Sequence, residues 1–304
     1  MIWLASYPKS GNTWLRMLIA NLHAQDDKPI DINDPPECIL HACERRPFEE
    51  LLLLDTSLLT HDEIDCLRPR LYEQLAHAGC DEDAKTGAAV PARFMLVHDA
   101  YGPAPNGEPL LAGRRAAAGA ILIVRDPRDV APSLANYFGV SVDIAIALLN
   151  DKRREANIKA GRLHRLFRQR PRGWSEHAQS WLDQTDIPVH VVRYEDMKAD
   201  AIGTFAAALG FAKVLASDEQ LQRAVAFADF SELRRQEQDK GFSEMGSRPD
   251  RLFFRRGEAG AWRDELTTEQ VARIEAAHAP MMERLGYELA GMSARGKRRM
   301  ASDG

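Results

Sequence analysis

The first two dozen residues constrain the fold most, because they change character twice within a short distance. The apolar run Trp3–Ala5 leads into Tyr7-Pro8, the polar turn Lys9–Thr13 follows, and an amphipathic run extends to Leu22. This order predicts a strand, a loop and a helix. Gly11 allows the backbone to approach a ligand closely, and the N–H groups and dipole of a helix N-terminus favour an anion. The segment therefore predicts a phosphate- or sulfate-binding loop.

The loop differs from the phosphate loop of P-loop nucleotide kinases. That motif has two glycines five residues apart before its Lys-Ser/Thr pair, whereas no glycine precedes Lys9. The polar side chains of Ser10, Asn12 and Thr13 still lie where they can meet an anion, and Lys9 adds a point charge. An ordinary capped turn between a strand and a helix explains one short motif equally well. The function therefore depends on the rest of the chain.

Composition excludes several classes of protein. The 304 residues are 45% hydrophobic, which is enough for one large domain or two small ones. A net charge of −5 gives no reason to expect nucleic-acid binding. The first strand starts at residue 2, which leaves no space for a secretory signal, and no apolar run approaches the roughly 18 residues of a membrane span. We expect a cytoplasmic protein without a membrane partner. The cysteines lack the spacing of a zinc site and are expected to be reduced thiols: Cys38, Cys43, Cys66 and Cys80.

Short apolar strands alternate with helical segments along the chain. Further strands are predicted at 93–97, 120–124 and 189–192, and the strand at 120–124 is apolar throughout, as in a parallel sheet covered on both faces. Helices are predicted near 51–54, 63–78, 127 onward, 143–160, 174–184, 199–209, 218–227 and 268–285, and loops at 25–50, 79–91, 103–109 and 238–258. This pattern predicts an α/β fold, a P-loop-like doubly wound parallel sheet flanked by helices. We assign 1–292 to one domain and 293–304 to a basic, frayed tail.

A second polar motif follows the strand at 120–124. Arg125 leaves the C-terminal end of the strand, Pro127 suits the first position of a helix, and Ser133 lies about two helical turns further on. Arg125 could bind a phosphate with two hydrogen bonds while the Ser133 hydroxyl binds the same group. Taken alone, the segment is also compatible with a turn held by ion pairs.

A third motif lies near the end of the chain. Arg255-Arg256-Gly257 precedes Gly260 and Trp262. Two arginines before a glycine can enclose a phosphate with their side chains and a backbone N–H group. A basic surface loop beside a core tryptophan is the alternative interpretation.

In this order, the three motifs resemble those of the sulfotransferases that use 3'-phosphoadenosine-5'-phosphosulfate (PAPS), of the cytosolic type found in bacterial sulfotransferase-domain proteins. The resemblance spans nearly the whole chain and is weakest over 25–90. It implies PAPS as the donor, adenosine 3',5'-bisphosphate (PAP) as the product, and no metal. The cofactor-binding residues that it implies are Lys9, Ser10, Gly11, Asn12, Thr13, Trp14, Arg125, Ser133, Tyr194, Phe230, Arg255, Arg256 and Gly257.

Two of the three aromatic residues in that set have a second interpretation. Trp14 matches the tryptophan that stacks on adenine in the family, and Tyr194 matches a tyrosine at the adenine edge. Phe230 could close the adenine pocket. A half-buried tyrosine at a strand end and a core phenylalanine would explain Tyr194 and Phe230 equally simply.

The resemblance implies that His98 and Lys9 are the catalytic residues. Histidine suits a general base because its unperturbed pKa lies near the working pH, although a core histidine is the more common case. Lys9 would neutralise the leaving phosphate oxygen. The family usually has a lysine two residues before this histidine, where this chain has Leu96. Lys9 itself, Arg16 or Arg128 would have to compensate for the missing cation.

The predicted function is transfer of a sulfuryl group from PAPS to a hydroxyl or amine of a small molecule. A P-loop-type nucleotide kinase and a non-catalytic PAP-binding or nucleotide-binding protein are the alternatives. We expect the acceptor pocket to form from 25–60, 99–110, 137–150 and 238–253, with four aromatic candidates, Tyr101, Tyr137, Phe138 and Phe242. The identity of the acceptor, O- or N-sulfation, and the oligomeric state remain open at this stage.

Overall fold

One parallel sheet forms the centre of the molecule. The computed structural model describes residues 1–24, 27–34, 39–77, 93–158, 165–245 and 251–290. Five strands lie in the order β2-β3-β1-β4-β5, and each neighbouring pair is parallel. They are β1 Ile2–Ser6, β2 Ile39–His41, β3 Phe94–Val97, β4 Gly119–Val124 and β5 Val189–Arg193. The predicted α/β fold with a central parallel sheet is confirmed.

Helices flank the sheet. They are α1 Asn12–His23, α2 Arg45–Leu52, α3 His61–His77, α4 Pro127–Phe138, α5 Val142–Asn150, α6 Trp174–Asp183, α7 Tyr194–Ala199, α8 Ala201–Phe211, α9 Asp218–Phe227, α10 Phe230–Lys240, α11 Trp262–Glu265 and α12 Thr268–Arg284. Single turns of 3-10 helix lie at Thr56–Leu58, Gly113–Arg115 and Ser243–Met245.

Two apolar cores lie on the two faces of the sheet. Along β1, Trp3 and Ala5 belong to one core, while Ile2 and Leu4 belong to the other. Successive side chains of a strand point to opposite faces, so both faces need apolar residues where both are covered. This explains why β4, which is buried at every position, has an uninterrupted apolar sequence.

Three predicted segments differ from the structure. The segment 25–50, predicted as loop, contains β2 and the start of α2. The helix predicted near 143–160 ends at Asn150, because the apolar periodicity stops at Leu149 and a basic run follows. The loop predicted at 238–258 begins later, since α10 extends to Lys240 with its N-terminus capped by Asp229. Short strands and polar helices carry weak periodic signals, which is why these elements escaped the prediction.

Several predictions lie outside the described residues, including the loop at 79–91, the tail at 293–304, Cys38 and Cys80. Cys43 and Cys66 are free thiols, as expected. The assignment of 1–292 to one domain remains a prediction. Within the described ranges, no single helix is long and apolar enough to cross a membrane; α4 and α5 together meet the length and composition, with a 116° bend between them.

Candidate active site

A cavity of about 710 Å³ lies at the C-terminal edge of the sheet. Chain segments that follow four strands contribute Lys9, His98, Arg125 and Tyr194 to its lining. Because β1 is central, the cavity extends from it towards both sides of the sheet. The part that we call the β5-side half is lined by Gly11, Asn12, Thr13, Trp14, Arg125, Ser133, Tyr194, Lys198, Phe230, Arg255, Arg256 and Gly257. The part that we call the β2-side half is lined by Ile39, His41, Glu44, Leu96, His98, Phe138, Arg154, Ala156, Asn157, Arg165, Leu166 and Gln169.

The loop between β1 and α1 has two residues in the left-handed backbone region, Lys9 and Gly11. Gly11 has a φ of 102°, and a Cβ atom there would lie 2.6 Å from Cδ2 of Tyr194. Asn12 fixes the loop from behind, since its Nδ2 donates to the Leu4 carbonyl and to Ser6 Oγ, each at 3.0 Å. Asn12 Oδ1 is buried and has no hydrogen-bond partner in the described part of the chain.

Ser10 lies behind this loop. Its side chain is fully buried, its Oγ has no partner among the described residues, and it does not belong to the cavity lining. Its backbone N–H donates to the Tyr7 carbonyl at 3.3 Å. Any contribution of Ser10 to ligand binding is therefore through the loop backbone.

Lys9 is a half-buried cation that lies over aromatic rings. Its Nζ lies 3.1 Å from the ring centroid of Phe253 and 4.9 Å from that of Tyr137. Burial lowers the pKa of Lys9 to about 7, against a smaller opposing effect of Glu244. No carboxylate of the described residues forms an ion pair with Nζ, so the π faces of the rings are the main stabilising contacts of the protonated form there. An anion bound beside Nζ would raise this pKa again, so that the Lys9 amine is protonated at pH 7.

Arg125 also keeps an uncompensated charge. Its Nη2 donates to the Glu258 carbonyl at 2.9 Å, and its Nε is buried without a partner among the described residues. The guanidinium stacks on Tyr194, with Cζ 4.2 Å from the ring centroid. Ser133, on α4, lines the same half of the cavity. The sequence-predicted pair is thus brought to one place.

The third motif is attached to the second by Asp129. The Asp129 carboxylate accepts hydrogen bonds from the backbone N–H groups of Gly260, at 2.6 Å, and Trp262, at 2.8 Å. Gly257 has a φ of 66°, and a side chain there would clash with the Phe230 ring. The close approach of the third motif to Phe230 therefore depends on glycine at position 257.

Arg255 and Arg256 already have carboxylate partners. Glu265 lies 2.7 Å from Arg255 and 3.3 Å from Arg256, and Glu258 lies 2.7 Å from Arg256. Both arginine side chains are about one third exposed, at 35% and 34%. They can exchange these partners for an incoming anion at small cost, because partly exposed ion pairs contribute little.

Aromatic side chains form the remaining walls of the β5-side half. Trp14 donates from Nε1 to the Ala228 carbonyl at 3.0 Å, and its ring centroid lies 5.8 Å from that of Tyr194. Phe230 lines the same half. Lys198, which the sequence analysis missed, places Nζ 5.4 Å from the Trp14 ring. Lys198 lies on α7, one helical turn after Tyr194.

A hydrogen bond to β1 determines which nitrogen of His98 carries the proton. Its Nδ1 lies 2.7 Å from the Ser6 carbonyl oxygen, which can only accept a hydrogen bond, so Nδ1 carries the proton. Nε2 is then the unprotonated nitrogen. Burial lowers the pKa of His98, against a smaller effect of the Ser6 hydrogen bond. The ring is therefore neutral near pH 7 and able to accept a proton.

Two arginines were candidates to replace the cation missing at Leu96. Arg16 lines the cavity and pairs with Glu244 at 2.6 Å. Arg128 cannot take that role, because it pairs with Asp126 at 2.7 Å and with Glu275 at 2.6 Å. Its guanidinium lies over the Trp262 ring, outside the cavity lining.

The β2-side half differs from the acceptor pocket that the sequence predicted. Tyr137 and Phe138 line the cavity, but Tyr101 donates to Asp186 at 2.6 Å and Phe242 packs against Phe253, so neither of the latter does. The segment 99–110 contributes nothing to the described lining.

An unpredicted segment takes that place. Residues within 154–157 and 165–171 line the β2-side half. Backbone hydrogen bonds hold the second stretch beside β2: Arg45 N–H donates to the Arg165 carbonyl at 2.9 Å, and Phe167 N–H donates to the Cys43 carbonyl at 2.7 Å. The concentration of lysine and arginine from 152 to 172 was the signal that could have identified it. Across the described ranges, no cluster of three or more His, Cys, Asp or Glu residues is arranged to hold a metal ion.

Comparison with known proteins identifies the family. Residues 1–286 match the family model of the sulfotransferase domain. The chain belongs to the sulfotransferase family. The rabbit (Oryctolagus cuniculus) amine sulfotransferase is 24% identical over 160 residues, and this match spans about half of each protein, 51% of this chain and 51% of the relative.

Solved structures of the family share the fold. A mouse sulfotransferase complexed with PAP is similar over 100% of this chain and 88% of its own, with a TM-score of 0.56 and 20% identity. Retinol dehydratase in complex with androsterone and PAP is similar over 95% of this chain and 81% of its own, with a TM-score of 0.54 and 19% identity. At these identities the likeness concerns the fold.

Proposed function

We propose that this protein transfers a sulfuryl group from PAPS to a hydroxyl or amine of a small-molecule acceptor. The observation that carries the proposal is the convergence of Lys9, Arg125 and His98 on one cavity. The two cations have no carboxylate within ion-pair distance among the described residues, and the histidine has its unprotonated nitrogen available. A site with two uncompensated cations beside a base suits the transfer of a charged group.

The β5-side half fits PAPS by the properties of its own residues. Arg125 Nε is a buried donor without a partner in the described chain, and the glycines at 11 and 257 let the Tyr194 and Phe230 rings pack directly against the two loops that line this half. The 5'-phosphosulfate would be held by Lys9 and the loop backbone of Gly11–Thr13, and the 3'-phosphate by Arg125 and Ser133. Arg255, Arg256 and Gly257 would complete the phosphate site, with Trp14, Tyr194 and Phe230 around the adenine.

The residues at the centre of the cavity would act on the proton and the developing charge. When bound, PAPS supplies a sulfuryl group attached to a phosphate oxygen. His98 Nε2 accepts the proton of the acceptor hydroxyl as the oxygen bonds to sulfur. The electron pair of the broken sulfur–oxygen bond stays on the phosphate oxygen, where the Lys9 ammonium stabilises the negative charge.

The named relatives support a small-molecule acceptor. One is an amine sulfotransferase, and retinol dehydratase was solved with androsterone and with retinol, each beside PAP. The alternative of a P-loop nucleotide kinase has less support, because the loop before Lys9 lacks glycines and because the Asp129 carboxylate is occupied by backbone N–H groups.

Thermal unfolding with nucleotides tests the donor assignment. A ligand that binds only the native state raises the melting temperature by mass action. We expect PAP to raise it more than ATP at equal concentration, because ATP lacks the 3'-phosphate that Arg125 and Ser133 would bind. Equal stabilisation by ATP and PAP, or stabilisation by ATP only with magnesium, would favour the kinase.

A further inference from the structure

Arg154 is a buried arginine whose charge no carboxylate of the described residues neutralises. It lines the β2-side half of the cavity and is 6% exposed. Within the described chain, its guanidinium makes one hydrogen bond, from Nη1 to the Tyr7 hydroxyl at 2.6 Å. Because a guanidinium has five N–H donors in a planar fork, most of its donors are left for another partner.

Two aromatic rings hold this guanidinium in place. Its Cζ lies 5.6 Å from the ring centroid of Tyr7 and 5.4 Å from that of Phe138. The Tyr7 hydroxyl donates its own proton to the Leu148 carbonyl at 3.2 Å. Burial raises the pKa of Tyr7, so the hydroxyl stays neutral and supplies no counter-charge.

Arg68 shows how the same fold treats a buried arginine with a structural role. Its side chain is fully buried, and it lies 3.2 Å from the Asp65 carboxylate and 2.7 Å from that of Asp99. Its Nε donates to the Tyr72 hydroxyl at 2.8 Å. Removal of a charge from water is unfavourable unless a partner compensates it. Arg154 is buried almost as deeply, but it faces a cavity and lacks such a pair.

The carboxylates that line the cavity near Arg154 are already engaged. Glu44 pairs with Arg165 at 2.6 Å, and Glu244 pairs with Arg16 at 2.6 Å. Burial lowers the pKa of both His41 and His98, so neither imidazole is charged near pH 7. In the described part of this half, Arg154 therefore remains the uncompensated charge.

The sequence around Arg154 is also rich in positively charged residues. From 152 to 172 lysine and arginine recur, and Glu155 is the only acidic residue. Glu155 lies within 3.9 Å of Arg168 and 3.6 Å of Arg170, both of which also pair with Asp65. Among the described residues of this segment, Arg154 is the cation that lines the cavity without a carboxylate partner.

We propose that the acceptor carries an oxyanion, of which a carboxylate is the simplest, and that Arg154 binds it with two parallel hydrogen bonds. This inference rests on the proposed function, because it assigns the β2-side half to the acceptor. The planar fork of arginine matches a carboxylate. His98 lines the same half, so the hydroxyl of the acceptor meets the base while its anionic end meets Arg154. The substrate class is thus a hydroxylated organic acid.

Three phenols that differ in charge test the inference. They are 4-ethylphenol, tyramine and 3-(4-hydroxyphenyl)propanoate, which are neutral, cationic and anionic at pH 7. Calorimetric titration of each into the free protein and into the PAP-saturated protein measures acceptor binding without turnover. We expect the carboxylate to bind the wild type about tenfold to a hundredfold tighter than the neutral phenol, the range for a charged hydrogen-bonded contact.

Variants of Arg154 assign the preference to one side chain. Arg154→Met should abolish the preference for the carboxylate, and Arg154→Lys should retain part of it because the charge stays but the fork is lost. Arg153→Met is the matched control, since Arg153 is the exposed neighbour outside the cavity lining. It should leave the preference unchanged. If Arg154→Met fails to fold, the partial loss in Arg154→Lys decides.

The outcomes separate this inference from the proposed function. Sulfation of phenols without any preference for the carboxylate would overturn the role of Arg154 and leave the sulfotransferase proposal intact. Failure to bind PAP would overturn the proposed function, while titration of the free protein would still measure the charge preference. A carboxylate that binds no better than the other two phenols, including the case in which none binds, contradicts the inference.

Discussion

The two halves of the cavity are built in different ways. In the β5-side half, Arg125 and Tyr194 directly follow strands, and the loop that begins at Lys9 joins β1 to α1. In the β2-side half, Arg154 and Arg165 lie outside the helices and strands, and backbone hydrogen bonds fix Arg165 and Phe167 to the residues after β2. Most of the first half therefore belongs to loops and helices that directly follow strands, whereas the second takes much of its wall from residues that follow no strand.

This difference separates what the fold provides from what one chain adds. Parallel strands place their carboxyl ends at one edge, so residues that follow them converge whatever the rest of the chain does. The β2-side wall has no such constraint, and its charges can change without loss of the sheet. We therefore expect the β5-side half to determine the donor and the β2-side half to determine the acceptor.

The largest expected effect comes from His98, which lines the β2-side half. His98→Ala should lower turnover by about two to four powers of ten, the usual contribution of a general base, and should leave PAP affinity unchanged. Product formation and PAP binding are measured on the same preparation. His61→Ala, at the start of α3, serves as the control. Turnover at the wild-type rate would mean that another residue is the base.

A substitution at Gly11 tests how closely the loop between β1 and α1 packs against Tyr194 in the β5-side half. Gly11→Ala adds a Cβ atom 2.6 Å from the Tyr194 ring at a φ of 102°. We expect a loss of about 1–3 kcal/mol in the free energy of unfolding and a weaker PAP complex. Urea unfolding and PAP titration measure the two effects. Gly107→Ala separates strain from the clash, because Gly107 has a φ of 85° but open space around it. If both variants lose the same stability and PAP affinity, the clash with the Tyr194 ring contributes nothing.

The pH dependence of PAP binding tests Lys9. Burial lowers the pKa of Lys9 to about 7 in the free protein, and a bound phosphate should raise it again. Binding then takes up a proton above pH 7, so PAP affinity should fall with rising pH, by at most about tenfold per unit. Titration between about pH 7.5 and about pH 9 measures this slope. Lys9→Arg keeps its charge throughout and should abolish the slope. A wild-type slope of zero would contradict the assigned contact.

The smallest expected effect concerns Glu265, which holds both arginines of the third motif. Glu265→Gln removes the competing carboxylate from Arg255 and Arg256, so PAP should bind more tightly, by about 1 kcal/mol or less as for exposed ion pairs. Asp264→Asn is the matched control, because Asp264 is 76% exposed and lies 3.8 Å from Arg256. Weaker PAP binding in Glu265→Gln would mean that Glu265 orients the arginines for binding.

Most of the residues that the sequence singled out line the cavity on its β5 side, because their signals are local. Lys9, Gly11 and Trp14 lie in one short motif, and Arg125 and Tyr194 follow apolar strands that are easy to recognise. The sheet itself followed from strands alternating with helices, apart from β2, whose three residues are too short to show a period.

The lining of the β2-side half could not be predicted in the same way. Arg154 fell within a predicted helix that ends earlier, and its burial depends on contacts with Tyr7 and Phe138 that no local pattern reveals. Ser10 shows the converse, since a residue inside a recognised motif lies behind the cavity wall. Which side of a loop faces a ligand is set by packing, and a short motif does not specify it.

Sulfated product and PAP, measured together by mass spectrometry, test the central claim most directly. The protein is incubated with PAPS and 3-(4-hydroxyphenyl)propanoate in the presence of a chelator. The account predicts equal amounts of sulfated acceptor and PAP, formed without metal, with His98→Ala forming little of either. Tight PAP binding without sulfation of that phenol, of tyramine or of 4-ethylphenol would contradict sulfuryl transfer to small-molecule acceptors.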